Sequence, residues 1–282
     1  MILGSHLSIA GGVFNAIASA NELGFKALAV FVRNQRRWAA KPLDQKTIDR
    51  FREDREKSGI KYVVAHASYL ANLGSDNPES REKSLNAVVD DLNRCQLLGI
   101  EYLVLHPGSN KNLEHGIEYI AEGLNKAEKL ADSPDVKLLL ETTAGQGNCI
   151  GHRFEHIGDI LKKLKHPEKF GVCLDTCHIF AAGYDFSTPK AYKETFKQFG
   201  DAIGIENLLA IHCNDSLKDL GSRVDRHAHI GKGKIGVEAF SLLVNDKKLR
   251  DLPFILETPK DTDESGRDMD LVNADLLNSL IK

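Results

Sequence analysis

The chain has 282 residues, 42% of them hydrophobic and 27% charged, with a formal net charge of −3 and a pI near 6.4. That composition is of the ordinary globular kind and gives no support to a basic nucleic-acid binder. No apolar run is long enough to span a bilayer, "MILGSHLSIAGG" lacks the regions of a secretion signal, and five irregularly spaced cysteines fit reduced thiols, so a cytoplasmic protein without a membrane partner is expected.

In chain order, short apolar runs of β type alternate with helical patterns. The first two runs are ILGSHLS (2–8) and ALAVFV (27–32). PLDQKTIDRFREDREKSG then predicts a helix from Asp44 to just before Gly59, and KYVVAH (61–66) the next strand. In SREKSLNAVVDDLNRCQLLGI, Leu85, Val88, Val89 and Leu92 recur at helical spacing, with Ser80 as the expected N-cap and Gly99 as the C-terminal cap. EYLVLH (101–106), VKLLLE (136–141) and FGVCLD (170–175) follow as strands. STPKAYKETFKQF has Thr188 as cap and Pro189 at the first helical position, before NLLAIHC (207–213) and LPFILE (252–257). Near-continuous apolar strands indicate a sheet buried on both faces. Eight of them alternating with helices predict an α/β fold, a (β/α)8 TIM barrel forming a single domain over residues 1–282, ahead of an open doubly wound sheet.

The strand ends carry the chemistry. Six successive runs close on His66, His106, Glu141, Asp175, His212 and Glu257, spaced 34 to 45 residues apart, about one strand–helix unit. In a barrel all parallel strands finish at the C-terminal face, where active sites sit, so these side chains are expected to converge there. Three imidazoles and three carboxylates suit zinc or manganese and exceed the needs of one tetrahedral ion. Two or more ions sharing a carboxylate, the arrangement used for phosphoester hydrolysis, are the natural reading. His178 follows Asp175 by three residues, and Asp225-x-His227 puts two more ligand types on one side of an extended segment. His229 repeats that parity, so spacing leaves His227 and His229 equivalent. Cys173 is expected in barrel packing and Cys177 as a bystander.

Other features are discounted. GKGKIG (231–236) satisfies G-x-G-x-x-G but follows DRHAHI instead of a buried strand, so no dinucleotide site is expected. His6 ends the first strand near the site. His115, His152, His156 and His166 fall in helical or loop segments.

At these residues the sequence closely resembles endonuclease IV, the zinc-dependent apurinic/apyrimidinic (AP) endonuclease family. The resemblance runs through GSHLSIAGG, NQRRW, HASYLANLG, HPGS, ETTAGQG, GVCLDTCHIFAAGYD, HCND, GSRVDRHAHIGKG and ILET, essentially the whole chain. It implies three zinc ions, with Mn²⁺ an alternative at one position. His66, His106 and Glu141 would hold the first; Glu141 would bridge to a second completed by Asp175, His212 and Glu257; His178, Asp225 and His227 would hold the third. Glu141 and Glu257 are the expected catalytic carboxylates. The implied reaction is attack by a metal-bridging hydroxide on the phosphate 5′ to an abasic site, leaving a 3′-hydroxyl and a 5′-deoxyribose phosphate. Trimming of blocked 3′ ends is implied as well.

The same resemblance implies a monomer acting on double-stranded DNA by nucleotide flipping, with Arg36 entering from the minor groove and Tyr69 and Leu70 as its wedge. From spacing alone, Trp38 and Tyr69 read equally well as local packing. Arg33, Arg36, Arg37, Arg223, Arg226, Lys232 and Lys234 are candidate phosphate contacts on the rim, and three Zn²⁺ would turn the formal charge from −3 to +3. Ala67 and Thr142 stand where relatives carry an acidic residue and Asn; neither is a ligand position, so they bear on tuning around the ligands. Two other classes compete: a metal-dependent TIM-barrel sugar isomerase or epimerase, which has no need of Asp225-x-His227 or the wedge loops, and a non-catalytic barrel that binds damaged DNA.

Overall fold

The computed structural model describes residues 1–282. Eight parallel strands close into a barrel: β1 (Ile2–His6), β2 (Ala27–Phe31), β3 (Tyr62–His66), β4 (Tyr102–Leu105), β5 (Lys137–Glu141), β6 (Phe170–Asp175), β7 (Leu208–His212) and β8 (Pro253–Leu256). Each pairs with its sequence neighbours, and β1 pairs with β8 through Leu3↔Phe254 to close the ring. This is the (β/α)8 architecture that the strand count predicts.

Nine helices surround the barrel: α1 (Asn15–Glu22), α2 (Gln45–Ser58), α3 (Pro78–Leu98), α4 (Leu113–Leu130), α5 (Phe154–Leu161), α6 (Thr176–Ala182), α7 (Pro189–Ala202), α8 (Val237–Val244) and α9 (Met269–Ser279). Their ends follow the expected chemistry. Asp44 accepts from Thr47 N, Thr188 accepts from Ala191 N ahead of Pro189, and Gly59 and Gly99 end α2 and α3 in the left-handed conformation. One boundary differs. Asn77, not Ser80, caps α3; its side chain accepts from Ser80 N, and Pro78 takes the first helical position. Asn ranks with Ser as a cap, and Pro78 fixes the start three residues early. None of the helices is long and apolar enough to cross a membrane.

Two packing regions result. The larger lies between barrel and helices. The smaller fills the barrel interior with Ile2, Ala27, Ala29, Val64, Val104, Leu139, Cys173, Ala210 and Ile255, all buried. Cys173 thus belongs to the barrel floor, as expected. Two short antiparallel ribbons stand above the C-terminal rim: Gly108–Ser109 with Cys149–Ile150, and Asp215–Ser216 with His227–Ala228.

Candidate metal centre

Strand parity delivers the site. Alternate residues of a strand face the same side. Six interior residues, Val64, Val104, Leu139, Cys173, Ala210 and Ile255, stand two positions before His66, His106, Glu141, Asp175, His212 and Glu257. All six candidate ligands therefore sit one layer above the barrel floor, on the last strand residue or, for His106 and Glu257, one beyond it. The same step from Ala29 gives Phe31, which the sequence pattern does not mark, and His6 shares the parity of Ile2.

The ligand atoms gather into three sets, each spanning no more than 4.8 Å: His66, His106 and Glu141; Glu141, Asp175, His212 and Glu257; and His178, Asp225 and His227. Glu141 joins the first two. Its Oε2 lies 3.0 Å from His66 Nε2 and 3.1 Å from His106 Nε2, while its Oε1 lies 3.0 Å from His212 Nδ1. Glu257 Oε2 is also 3.0 Å from His212 Nδ1. In the third set Asp225 faces His178 Nε2 at 3.1 Å and His227 Nε2 at 3.2 Å. The ribbon pairing Ser216 with His227 aims that imidazole inward. His229 turns away, to Asp261 at 3.0 Å and to Asn273, so of the two histidines that spacing left equivalent it is His227 that faces His178 and Asp225.

Main-chain carbonyls orient the rings. Nδ1 of His66 lies 2.7 Å from Ala67 O, that of His178 2.8 Å from Thr142 O, and that of His227 3.0 Å from Glu257 O. Donation there leaves Nε2 of each ring as the acceptor facing the site. Ala67 and Thr142 thus act on these imidazoles through their carbonyls, which any residue supplies. The Thr142 hydroxyl adds a separate bond, accepting from Asp175 N at 2.9 Å. Asp175 in turn caps α6, its Oδ1 accepting from His178 N at 2.8 Å.

Neutral groups that sequence reasoning missed complete the frame. Asn214, fully buried, donates to Asp175 Oδ2 at 2.7 Å and accepts from Glu257 N at 2.7 Å. Thr176 Oγ1 donates to Asn214 O. His6, which the sequence already places near the site, has its Nδ1 2.9 Å from Glu257 Oε1. The position of Asn214 two residues beyond His212 was the available signal.

The electrostatics are those of a tightly coupled cluster. Burial alone would raise Glu141 and Glu257, yet the imidazoles around them, His212 foremost, hold both well below the usual carboxylate range. Burial opposes charge on His178 and His212, and neighbouring groups nonetheless hold both well above the usual imidazole value. His227 is held at about 9 against burial, by Asp175 and Asp225.

The arrangement fits cations. The donors are imidazole and carboxylate, the set that zinc takes in hydrolytic sites. Buried Nε2 of His178 and of His227 make no hydrogen bond, although Asp225 oxygens lie near 3 Å. Buried polar atoms that converge without satisfying one another are what a metal ion satisfies. Cys177 comes closer than a bystander: its Sγ lies within 4.8 Å of ligand atoms of Asp175 and His227. Burial pushes its thiol up to about 12, and it donates to Arg226 O.

A cleft of about 870 Å³ opens beside Glu257 and His227, lined among others by His6, Phe31, Asn34, Gln35, Arg36 and Tyr69. The loops after β2 and β3 form its rim. Arg36 is exposed there, and Leu70 is 39% exposed. Tyr69 is 63% exposed even though its ring sits 5.5 Å from that of His66 and 5.8 Å from that of Phe31. It packs locally and projects at once.

Arg33 is not a rim contact. It is 5% exposed and bound bidentately to Asp91 at 2.5 and 3.2 Å, so its charge is spent inside the fold. The other candidate cations, Arg36, Arg37, Arg223, Arg226, Lys232 and Lys234, are exposed.

The GKGKIG loop has a different use for its backbone. Main-chain N–H groups of Gly231, Gly233 and Ile235 all donate to the carboxylate of buried Asp215, at 2.9 to 3.0 Å. A Cβ on Gly233 would lie 2.4 Å from Asp215 Oδ1, so glycine is required. An internal carboxylate fills the nest that a phosphate would need.

The chain is similar to known proteins along its whole length. Residues 17–275 match the family described as "Xylose isomerase-like TIM barrel". A protein named "Probable endonuclease 4" from Chloroflexus aurantiacus is 45% identical over 99% of this chain and 98% of its own. The crystal structure of endonuclease IV from Thermus thermophilus superposes with a TM-score of 0.89 at 39% identity, covering 99% of this chain and 98% of that one. A D-tagatose 3-epimerase-like protein, at 20% identity and a TM-score of 0.74 over 99% and 97% of the two chains, shares the fold alone. With this level of identity along its whole length, the chain belongs to the endonuclease IV family of deoxyribonucleases.

Proposed function

We propose that the chain hydrolyses the phosphodiester bond 5′ to an abasic site in double-stranded DNA, leaving a 3′-hydroxyl and a 5′-deoxyribose phosphate. Acting as a monomer, it also trims blocked 3′ ends. The observation that carries this reading is the set of three converging ligand groups, two joined by Glu141, beneath a rim that presents Arg36, Tyr69 and Leu70.

His66, His106 and Glu141 would hold one zinc ion; Glu141, Asp175, His212 and Glu257 a second; His178, Asp225 and His227 a third, with Mn²⁺ able to replace zinc at one position. When bound, such ions supply the acidity that makes water a nucleophile at neutral pH and positive charge against the transferring phosphate. The protein's own part is orientation. Main-chain carbonyls fix three imidazole tautomers, Asn214 ties Asp175 to the β8 end, and His6 holds Glu257. Arg36, Tyr69 and Leu70 would fill the duplex while the damaged nucleotide leaves the stack. Six exposed cations around the mouth, with three bound Zn²⁺ reversing the formal charge from −3 to +3, would hold the phosphates of an otherwise acidic chain.

A sugar epimerase would share the barrel and its strand-end ligands. The Asp225–His227 set and the exposed wedge favour DNA. The test is incision of a duplex carrying one synthetic abasic site, with and without a zinc chelator. A chelator-sensitive cut on the 5′ side is expected. Absence of that cut from zinc-loaded protein would overturn the proposal.

A further inference from the structure

The loop that presents Arg36 is held in shape from inside the protein. Arg33, two residues past β2, is buried, and its guanidinium works in two directions. Toward α3 it donates to both Asp91 oxygens; toward its own loop, Nη1 donates to Arg37 O at 2.7 Å and to Trp38 O at 3.3 Å. The carbonyls it captures follow Arg36 directly. One turn along α3, Arg94 donates to Lys41 O at 2.7 Å and pairs with Asp90. The neighbouring loop is tied in as well, because Ser68 Oγ donates to Gln35 O at 2.5 Å and accepts from Leu70 N at 3.2 Å. The two wedge loops are thus one unit, fastened to α3 through Arg33.

We infer that Arg33 is a positioning residue for damaged-DNA recognition: bridging Asp91 and the carbonyls of Arg37 and Trp38, it presets the loop so that Arg36 enters the duplex without first being ordered. The inference rests on the reading of Arg36 as the inserted side chain. A planar, five-donor guanidinium suits the task; an ammonium at the same place keeps the charge opposite Asp91 but cannot span an ion pair and two carbonyls. Ordering a loop and its side chains on binding costs affinity, and a preset loop avoids that cost. The consequence falls on DNA binding and leaves the bond-breaking step untouched.

The test compares zinc-loaded Arg33→Lys, Arg36→Ala and the double variant with wild type. The substrates are an abasic duplex and bis(4-nitrophenyl) phosphate, a small phosphodiester that has no duplex to enter. Arg33→Lys is expected to raise KM for the duplex about tenfold with kcat little changed, while hydrolysis of the small ester stays at the wild-type rate. Arg36→Ala should raise KM likewise, and the double variant should be no worse than Arg36→Ala alone, since Arg33 acts through it. Asp91→Asn, which keeps the side-chain shape and weakens the anchor, should shift KM in the same direction by less and provides a second route should Arg33→Lys fold poorly. Wild-type KM in Arg33→Lys, with Arg36→Ala impaired, overturns the inference alone, as do fully additive losses. An unimpaired Arg36→Ala overturns both the insertion reading and the inference built on it.

Discussion

Asn214 Nδ2 donates to Asp175 Oδ2 at 2.7 Å from a fully buried position, so a neutral amide holds a candidate metal ligand in place. The same amide accepts from Glu257 N. Asn214→Ala should orphan both groups, at about 1–3 kcal/mol each, and weaken zinc retention by roughly 10–100-fold. Asn214→Asp should be worse for catalysis, because it sets a second carboxylate against Asp175. Zinc content after dialysis and thermal unfolding check both; full zinc retention in Asn214→Ala would remove the amide from this role.

Thr142 separates side-chain from main-chain support. Its carbonyl orients His178 and its hydroxyl serves Asp175 N. Thr142→Val should lose about 1–3 kcal/mol of stability by leaving that N–H unpaired, with zinc content unchanged from wild type. Ala67→Ser should leave zinc content unchanged, since either residue supplies the carbonyl that orients His66. A lost zinc ion in Ala67→Ser would contradict this.

Glu257→Gln keeps the shape of a residue that faces both His212 and His6 but removes its charge. Binding of an abasic duplex should persist. Turnover should fall by more than the ~10–100-fold expected for losing a residue that merely orients a ligand. Single-turnover incision beside a binding titration distinguishes the two, and wild-type turnover would exclude Glu257 from the reaction.

Zinc loading should expel protons. In the metal-free site burial opposes charge on His66, His178, His212 and His227, yet neighbouring groups raise all four: carboxylates for His66, His178 and His227, the last to about 9, and Cys173 ahead of Glu257 and Glu141 for His212. Zinc requires neutral imidazole, so protons compete below these raised values and the competition fades as pH climbs through them. Apparent zinc affinity should therefore rise as pH climbs through the raised values, that of His227 at about 9 among them. Calorimetry near neutral pH in buffers of different ionisation enthalpy should register proton release; zinc uptake without it would show that the rings are already neutral.

Much of the site was legible because it obeys strand parity. Val64 to His66 and Leu139 to Glu141 are two-residue steps from floor to rim, visible as apolar runs that close on a polar residue. The barrel follows from the same runs. What stayed hidden depends on which distant group a side chain meets. Arg33 reads as one more surface cation until Asp91, 58 residues on, is seen to claim it. Asn214 carries no charge to announce it. GKGKIG satisfies a phosphate-binding pattern, and only the fold shows that Asp215 occupies its N–H groups. Ser80 is a sound cap by type, displaced by Asn77 because Pro78 starts the helix earlier.

The two-residue step between floor and rim also separates two kinds of evolutionary freedom. Positions such as Val64, Leu139 and Ile255 are answerable to barrel packing, whereas the residues two places on would answer to the reaction proposed above. Rewriting a handful of rim positions, among them 6, 31, 66, 106, 141, 175, 212 and 257, would change what the mouth does while the layer below keeps its packing. One scaffold can then serve nucleases and sugar epimerases alike, and a protein engineer has a short address list with which to start.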